Sequence, residues 1–225
     1  RMQPVTRERI ALLIENHVQY TFMNIEQIER FYSAFYPKWN KEAYYELMRK
    51  LKVAPKQKIS RMSCGLRSQV ALGLILAQNA DLLVLDDISK GLDPGYRRLF
   101  TEYLREYAKA EEKTIFLTSH IIQDMERLVD DCIIMDYGRI LIQKPVKELL
   151  DTFTRYTFKT SSPDKLPHAP SLYSTAAIRD SAETYSFENE ERIKQILQEQ
   201  SIPYTDFKSE KMNLEDVFIG LTGKY

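Results

Sequence analysis

The amino-acid sequence predicts an α/β protein built on a parallel, doubly wound sheet and followed by a small α+β appendage. Two observations predict the sheet. Short apolar runs alternate with helical patterns along the chain, and these runs contain few polar residues, as in strands that are covered on both faces. A third observation predicts the appendage, because the Pro- and Ser-rich segment 161–171 is followed by a different order of elements.

A strand and two helices open the chain. The apolar run at 10–14 predicts a buried strand. Asn24 is a good N-cap for a helical pattern with its apolar residues on one face, and Pro37 ends that helix. A second helix is predicted over 41–52 from its apolar spacing, whereas the polar segment 53–61 is predicted to be a loop.

The middle of the chain continues the alternation. The mostly apolar stretch 66–79 predicts a buried helix, and 95–112 predicts an amphipathic one. The runs 82–86 and 114–118 predict buried strands, the first of them buried on both faces, and a helix is expected over 121–129.

A hairpin and a short helix follow. Asp136-Tyr137-Gly138 is a hairpin turn signal between strands at 132–135 and 139–143. Pro145 is suited to the first turn of a helix that ends near Thr152.

We expect the boundary of the appendage near 154–160. The first domain then comprises 1–153, with a helical subdomain over about 24–80, and the appendage comprises 154–225. Within the appendage the predicted strands lie near 172–179, 183–188 and 204–209, and the predicted helices cover 189–200 and 213–221.

The composition argues against several classes of protein. The 225 residues carry 32 Lys and Arg against 32 Asp and Glu, and a chain without a basic excess is not expected to bind nucleic acid. No apolar run is long enough to span a membrane, and no signal peptide opens the sequence. The two cysteines, Cys64 and Cys132, fit a reduced cytosolic protein better than a disulfide scaffold.

Two acids give the first indication of a chemical site. Asp86 and Asp87 end the strand 82–86, and ligands of open α/β sheets bind at the carboxyl ends of strands. Such a pair suits Mg²⁺ positioning and water activation. An acidic turn after a strand is nevertheless common, so the pair alone favours a structural role.

Three further motifs surround the acids. Met62-Ser63-Cys64-Gly65-Leu66 opens the helix 66–79, 89–94 reads Ser-Lys-Gly-Leu-Asp-Pro, and Ser119-His120 follows the strand 114–118. Each has a structural interpretation. Ser63 is a plausible N-cap, Asp93 a turn residue before Pro94, and His120 a surface or capping residue.

The order of these motifs resembles that of the ATP-binding cassette (ABC) ATPases: signature motif, Walker B strand, D-loop and switch histidine. The resemblance extends to KELL at 147–150 and NLEDVFIGLTGK at 213–224, and so covers nearly the whole chain. FYPKWN at 35–40 is similar to bacterial exporters of this family. The resemblance implies a P-loop NTPase-like parallel sheet with a helical subdomain.

The resemblance also implies roles at the bound nucleotide. Asp86 matches the acid associated with Mg²⁺, Asp87 the general base, and His120 the histidine that contacts the γ-phosphate of ATP. Glu15 occupies the place of the Q-loop glutamine, which passes the nucleotide signal to the membrane subunit.

A second group of residues is implied to act across a dimer. Ser63 and Gly65 match the signature loop, in which Cys64 and Leu66 occupy the other two positions, and this loop holds the γ-phosphate of ATP bound to the opposite subunit. A helix N-terminus suits that task because its free N–H groups and its dipole attract anions. Asp93 matches the D-loop acid.

Several positions depart from the family pattern. Cys64, Leu66 and Ile88 replace the usual residues, and Glu15 stands in place of glutamine. Asp87 stands in place of glutamate, and its carboxylate is withdrawn by one methylene. A displacement of about 1 Å can cost on the order of 100-fold in rate, so we expect slow hydrolysis.

The largest departure is the phosphate loop. The sequence holds 7 glycines and contains neither GxxxxGK[ST] nor GxGxxG. In the family this Walker A loop precedes the Q-loop strand. We expect that the chain is a fragment of a longer ATPase, or that an N-terminal part is omitted from it. A naturally shortened subunit is the remaining explanation.

Taken together, the resemblance implies the ATP-binding subunit of a bacterial ABC exporter. Two copies would close on two ATP·Mg²⁺ and drive a separate integral membrane permease, from the cytoplasmic face of the plasma membrane and without nucleic acid. The alternative is a non-hydrolysing or truncated subunit that completes the ATP site of a partner. An ABC-type ATPase of DNA repair or translation is less favoured by the neutral charge.

Overall fold

A computed structural model describes residues 3–14, 20–87, 94–162 and 164–223. The chain divides into two compact units, one up to Asp124 and the other from Met125. The elements of the first unit are α1 (Pro4–Glu8), β1 (Ile10–Leu13), α2 (Ile25–Ser33), α3 (Lys41–Lys50), a 3-10 turn (Ile59–Arg61), α4 (Cys64–Ala77), β2 (Leu82–Asp86), α5 (Pro94–Ala110), β3 (Thr114–Thr118) and α6 (Ile122–Met125), which ends just past the division.

The three strands of the first unit form a parallel sheet in the order β1-β2-β3. Helices separate these strands along the chain, which confirms the predicted α/β class. The helix starts follow from their caps. The Asn24 side chain accepts from Gln27 N, and that of Asn40 accepts from Ala43 N.

Helix α4 is the centre of the core of this unit. All of its residues from Gln69 to Ala77 are buried. At Gly73, an added Cβ would lie 2.9 Å from Met48 Cε, so α3 packs closely on α4. The Tyr107 hydroxyl donates to Leu76 O at 3.0 Å and ties α5 to the same helix.

The sheet itself is covered on one face only. Leu83 and Leu85 of β2 are buried, whereas Val84 is only half-buried. Val84 lies in register between Leu12 and Phe116, which are 53% and 54% exposed. The predictions that β2 is buried on both faces and that β3 is a buried strand are therefore wrong, because no helix of the described residues covers this apolar row.

The second unit combines a hairpin with a four-stranded antiparallel sheet in the order β7-β8-β6-β9. The turn of the hairpin forms at Tyr137 and Gly138, both with positive φ, as predicted. The elements are β4 (Asp131–Asp136), β5 (Arg139–Pro145), α7 (Val146–Thr152), β6 (Thr154–Lys159), β7 (Leu172–Ile178), β8 (Ser181–Ser186), α8 (Glu190–Glu199), β9 (Thr205–Lys211) and α9 (Leu214–Thr222).

The sequence analysis missed strand β6. It lies between β8 and β9 in the sheet. Only the boundary of the appendage was expected in this segment of the chain. Its Tyr156 and Phe158 are buried and pack against apolar residues of the second unit, among them Ile193 and Leu197 of α8. The alternation of large and polar residues in this strand is only six residues long, and the Pro- and Ser-rich segment that follows obscures it.

Two further elements differ from expectation. The short helix α1 was not predicted, and α6 covers Ile122–Met125 instead of 121–129. The compact units divide near Asp124, whereas the composition shift predicts a domain boundary at 153/154. The earlier division arises because the hairpin and α7 associate with the C-terminal elements: α7 contacts α9, and Glu126 accepts a hydrogen bond from Leu214 N.

Candidate functional site

The candidate site lies at the carboxyl ends of β2 and β3. Asp86 and Thr118 are register partners on these parallel strands, so their side chains lie on the same face. The Thr118 hydroxyl donates to Asp86 Oδ1 at 2.6 Å. Both side chains are exposed, which leaves this edge of the sheet open to a ligand.

Asp87 turns the chain immediately after β2. Its φ of +45° lies in the left-handed region, which is unfavourable for a residue with a Cβ. Its backbone N–H lies 3.1 Å from both the carbonyl oxygen and the hydroxyl oxygen of Thr118. The turn is therefore held by the neighbouring strand.

The Asp87 carboxylate contacts His120. Nδ1 of the imidazole lies 2.8 Å from Asp87 Oδ1 and 3.0 Å from Oδ2. The Asp87 side chain is 19% exposed, whereas that of His120 is 61% exposed. A carboxylate at Nδ1 favours the tautomer with the proton on that nitrogen, and Nε2 is then an acceptor.

The loop that carries His120 is anchored on both sides. Ser119 Oγ accepts from Ile121 N at 3.0 Å. Asp124 forms an ion pair with Arg97 of α5 at 3.3 Å, and both side chains are about three-quarters buried. A local turn and an ion pair between α5 and α6 therefore flank His120 on its two sides.

The predicted signature residues lie at the N-terminus of α4. Ser63 Oγ accepts a hydrogen bond from Leu66 N at 3.2 Å, so Ser63 is the N-cap of this helix. Ser63 and Cys64 are exposed, and Gly65 and Leu66 are half-buried. Among the described residues, no hydrogen bond or ion pair joins these four to Asp86, Asp87 or His120.

Two predicted site residues cannot be placed. Glu15 lies in 15–19 and Asp93 in 88–93, both outside the described residues. The structure therefore brings together Asp86, Asp87 and His120, as expected of groups that follow neighbouring parallel strands.

Thr118 is the site residue that the sequence analysis missed. The predicted strand 114–118 contained Thr118 as its last residue, but no role at the site was assigned to it. The register of the parallel strands identifies it, because the last residue of β3 lies beside the first acid at the end of β2.

The donor set suits Mg²⁺ held mainly by a substrate. Mg²⁺ usually takes one or two carboxylates and completes its shell with water and phosphate oxygens. Among the described residues no cluster of three or more His, Cys, Asp or Glu could hold a metal. Asp86 is exposed and has one oxygen engaged by Thr118, so it fits a single protein ligand to the metal.

The chain is similar to several curated ATP-binding proteins. It is 30% identical to a Nod factor export ATP-binding protein I of Ralstonia nicotianae, over 74% of this chain and 54% of the relative. It is 24% identical to an uncharacterized ABC transporter ATP-binding protein of Bacillus subtilis, over 99% of this chain and 76% of the relative. An energy-coupling factor transporter ATP-binding protein of Staphylococcus aureus is 38% identical over 40% of this chain and 31% of the relative.

The fold has neighbours among solved structures. An ATP-binding subunit of an ABC transporter superposes with a TM-score of 0.55 and 25% identity, over 65% of this chain and 63% of the other. No family model matches the sequence. The chain spans about half the length of the Nod factor export relatives that it matches. Within the described residues, the helices are too short or too polar to cross a membrane.

Proposed function

We propose that the chain, which is similar to the ATP-binding proteins of ABC transporters in sequence and in its α/β fold, is an ATP-binding and hydrolysing subunit of a bacterial ABC exporter. The observation that carries the proposal is the contact of Asp86, Asp87, Thr118 and His120 at one edge of a parallel sheet. The Nod factor export relatives support the direction of transport.

Three side chains divide the chemistry in this proposal. Asp86 binds Mg²⁺, which when bound neutralises phosphate charge and orients the nucleotide. Asp87 accepts the proton of the attacking water. In its imidazolium form, which donates from both ring nitrogens, His120 contacts Asp87 through Nδ1 and donates from Nε2 to the γ-phosphate.

A second copy of the chain completes the ATP site in the proposed dimer. The exposed N-terminus of α4, with Ser63, Cys64, Gly65 and Leu66, offers N–H groups and a positive dipole end to the γ-phosphate of the opposite subunit. Asp93 contributes across the same interface, and Glu15 reports the nucleotide to the membrane subunit. The 1–153 portion acts as the nucleotide-binding domain, and 154–225 as a regulatory or dimer-stabilising appendage.

An exposed aromatic surface supports a membrane partner. Phe22 and Phe35 are 70% and 65% exposed, and Tyr20 stacks edge-on against Phe31 at 4.9 Å between ring centroids. Large exposed aromatics are typical of docking surfaces. We assign this surface to an integral membrane permease, which places the subunit at the cytoplasmic face of the plasma membrane.

A second candidate is a non-hydrolysing subunit that completes the ATP site of a partner. The observation that favours it is the short carboxylate of Asp87, which His120 already engages. In this case Ser63 and Gly65 support hydrolysis at a site whose phosphate loop belongs to the partner.

The test is ATP hydrolysis by the full-length protein, with Mg²⁺ and with excess chelator. Mg²⁺-dependent phosphate release by the protein alone supports the first candidate. Release that appears only after mixing with a subunit bearing a phosphate loop supports the second. Absence of phosphate release both from the protein alone and from the mixture contradicts both candidates.

A further inference from the structure

Thr118, the last residue of β3, contacts both acids at the edge of the sheet. Its hydroxyl donates to Asp86 Oδ1 at 2.6 Å and accepts a hydrogen bond from Asp87 N at 3.1 Å. The same N–H also lies 3.1 Å from the Thr118 carbonyl oxygen. One residue therefore contacts the side chain of the first acid and the backbone of the second.

The contact with Asp87 stabilises an unfavourable turn. A non-glycine residue at φ +45° is maintained only where its surroundings fix the backbone. Here a single N–H interacts with two oxygens of Thr118. This turn brings the Asp87 carboxylate to within 2.8 Å of His120 Nδ1.

The contact with Asp86 orients its carboxylate. Thr118 engages Oδ1, and Oδ2 accepts no hydrogen bond from the described residues. The hydroxyl itself is held in place by the two hydrogen bonds that it makes, to Asp86 Oδ1 and from Asp87 N. This matters because Mg²⁺ demands near-octahedral geometry and tolerates little error in ligand direction.

We infer that Thr118 is a positioning residue for the Mg²⁺·ATP site: its hydroxyl directs Asp86 toward the metal and holds the turn that presents Asp87 to His120. The inference rests on the proposed ATPase function and adds to it a residue outside the motifs of the resemblance. Thr118 acts through the two acids and contacts neither metal nor nucleotide in this role.

The test compares Thr118→Val with Thr118→Ser in the full-length protein. Valine keeps the branched shape and removes the hydroxyl, whereas serine keeps the hydroxyl and removes the methyl group. Three quantities are measured: kcat and KM for ATP, the affinity for Mn²⁺ in the presence of a non-hydrolysable ATP analogue by electron paramagnetic resonance, and hydrogen exchange at the Asp87 amide without nucleotide.

We expect Thr118→Val to lower kcat by about 10- to 100-fold with KM changed by less than about threefold, because the loss is one of alignment. Mn²⁺ affinity falls by about tenfold, in the range seen for residues that support metal ligands. Exchange at the Asp87 amide rises several-fold. Thr118→Ser keeps all three values within about threefold of the wild type.

Two results would overturn the role of Thr118. One is a Thr118→Val variant whose kcat, Mn²⁺ affinity and hydrogen exchange at the Asp87 amide all equal those of the wild type. The other is equal damage in Thr118→Ser, which would assign the effect to the methyl group. Absence of ATP binding by the wild type would instead overturn the proposed function and, with it, this inference. Hydrogen exchange at the Asp87 amide is measured without nucleotide, so it tests the role of Thr118 in the turn whether or not the protein binds ATP.

Discussion

The carboxylate of Glu183 and those of Asp86 and Asp87 differ in how their charge is satisfied. In the second unit, Glu183 of β8 is 3% exposed at its side chain and accepts hydrogen bonds from Arg155 Nε at 3.0 Å and Nη2 at 2.5 Å. At the edge of the first sheet, Asp86 and Asp87 contact a hydroxyl and an imidazole, and no Lys or Arg of the described residues pairs with either.

The difference separates a structural carboxylate from one that is available for chemistry. Glu183 is buried and is neutralised by the partly exposed guanidinium of Arg155, so its charge has little left to offer a ligand. Asp86 is exposed and keeps one carboxylate oxygen open. Uncompensated negative charge at an open sheet edge is suited to a divalent cation that arrives with its nucleotide.

Removal of the Asp86 charge tests whether this exposed carboxylate takes part in the chemistry. We expect Asp86→Asn in the full-length protein to lower kcat for ATP hydrolysis by about 100-fold or more, because the metal loses its protein carboxylate. The free energy of unfolding should change by less than ~0.5 kcal/mol, since the side chain is exposed. Steady-state kinetics and urea unfolding measure the two effects, and near-wild-type turnover would contradict the assignment.

Removal of the Glu183 charge tests whether this buried carboxylate stabilises the fold. We expect Glu183→Gln to lower the free energy of unfolding by about 2 kcal/mol, because Arg155 keeps its charge without a buried partner. The matched control is Glu210→Gln, which changes an exposed carboxylate 3.7 Å from the same arginine and should cost less than ~0.5 kcal/mol. A large loss of ATPase activity in Glu183→Gln with unchanged stability would break the comparison.

The smallest expected effect concerns the length of the Asp87 side chain. If the missing methylene slows hydrolysis, Asp87→Glu raises the single-turnover rate by a few-fold, well below the ~100-fold that a 1 Å displacement can cost. The gain in rate is limited because the longer glutamate side chain must also keep the contact with His120. Single-turnover phosphate release measures it, and an unchanged or lower rate would remove side-chain length as the cause of slow turnover.

The sequence predicted those parts of the site that depend only on where strands end. Asp86, Asp87 and His120 follow neighbouring parallel strands, and parallel strands bring their carboxyl ends to one edge. The structural interpretation of Ser63 was an N-cap, because serine favours that position, and the hydrogen bond from Leu66 N bears this out.

The remaining features depend on contacts between distant segments. The role of Thr118 requires the register between β2 and β3, which no local pattern encodes. Strand β6 was missed because its stability comes from pairing with β8 and β9 and from packing on α8 rather than from its own six residues. The exposure of Phe116 was missed because an apolar strand does not reveal whether a helix covers each face.

The most direct test of the account is a double-mutant cycle between Asp87 and His120 in the full-length protein. Single-turnover ATP hydrolysis is measured for Asp87→Asn, for His120→Ala and for the double variant. Since the two side chains lie 2.8 Å apart and act as one unit, we predict that the double variant loses little more activity than the more damaging single one. Losses that multiply independently would contradict the claim that this edge of the sheet is one catalytic site.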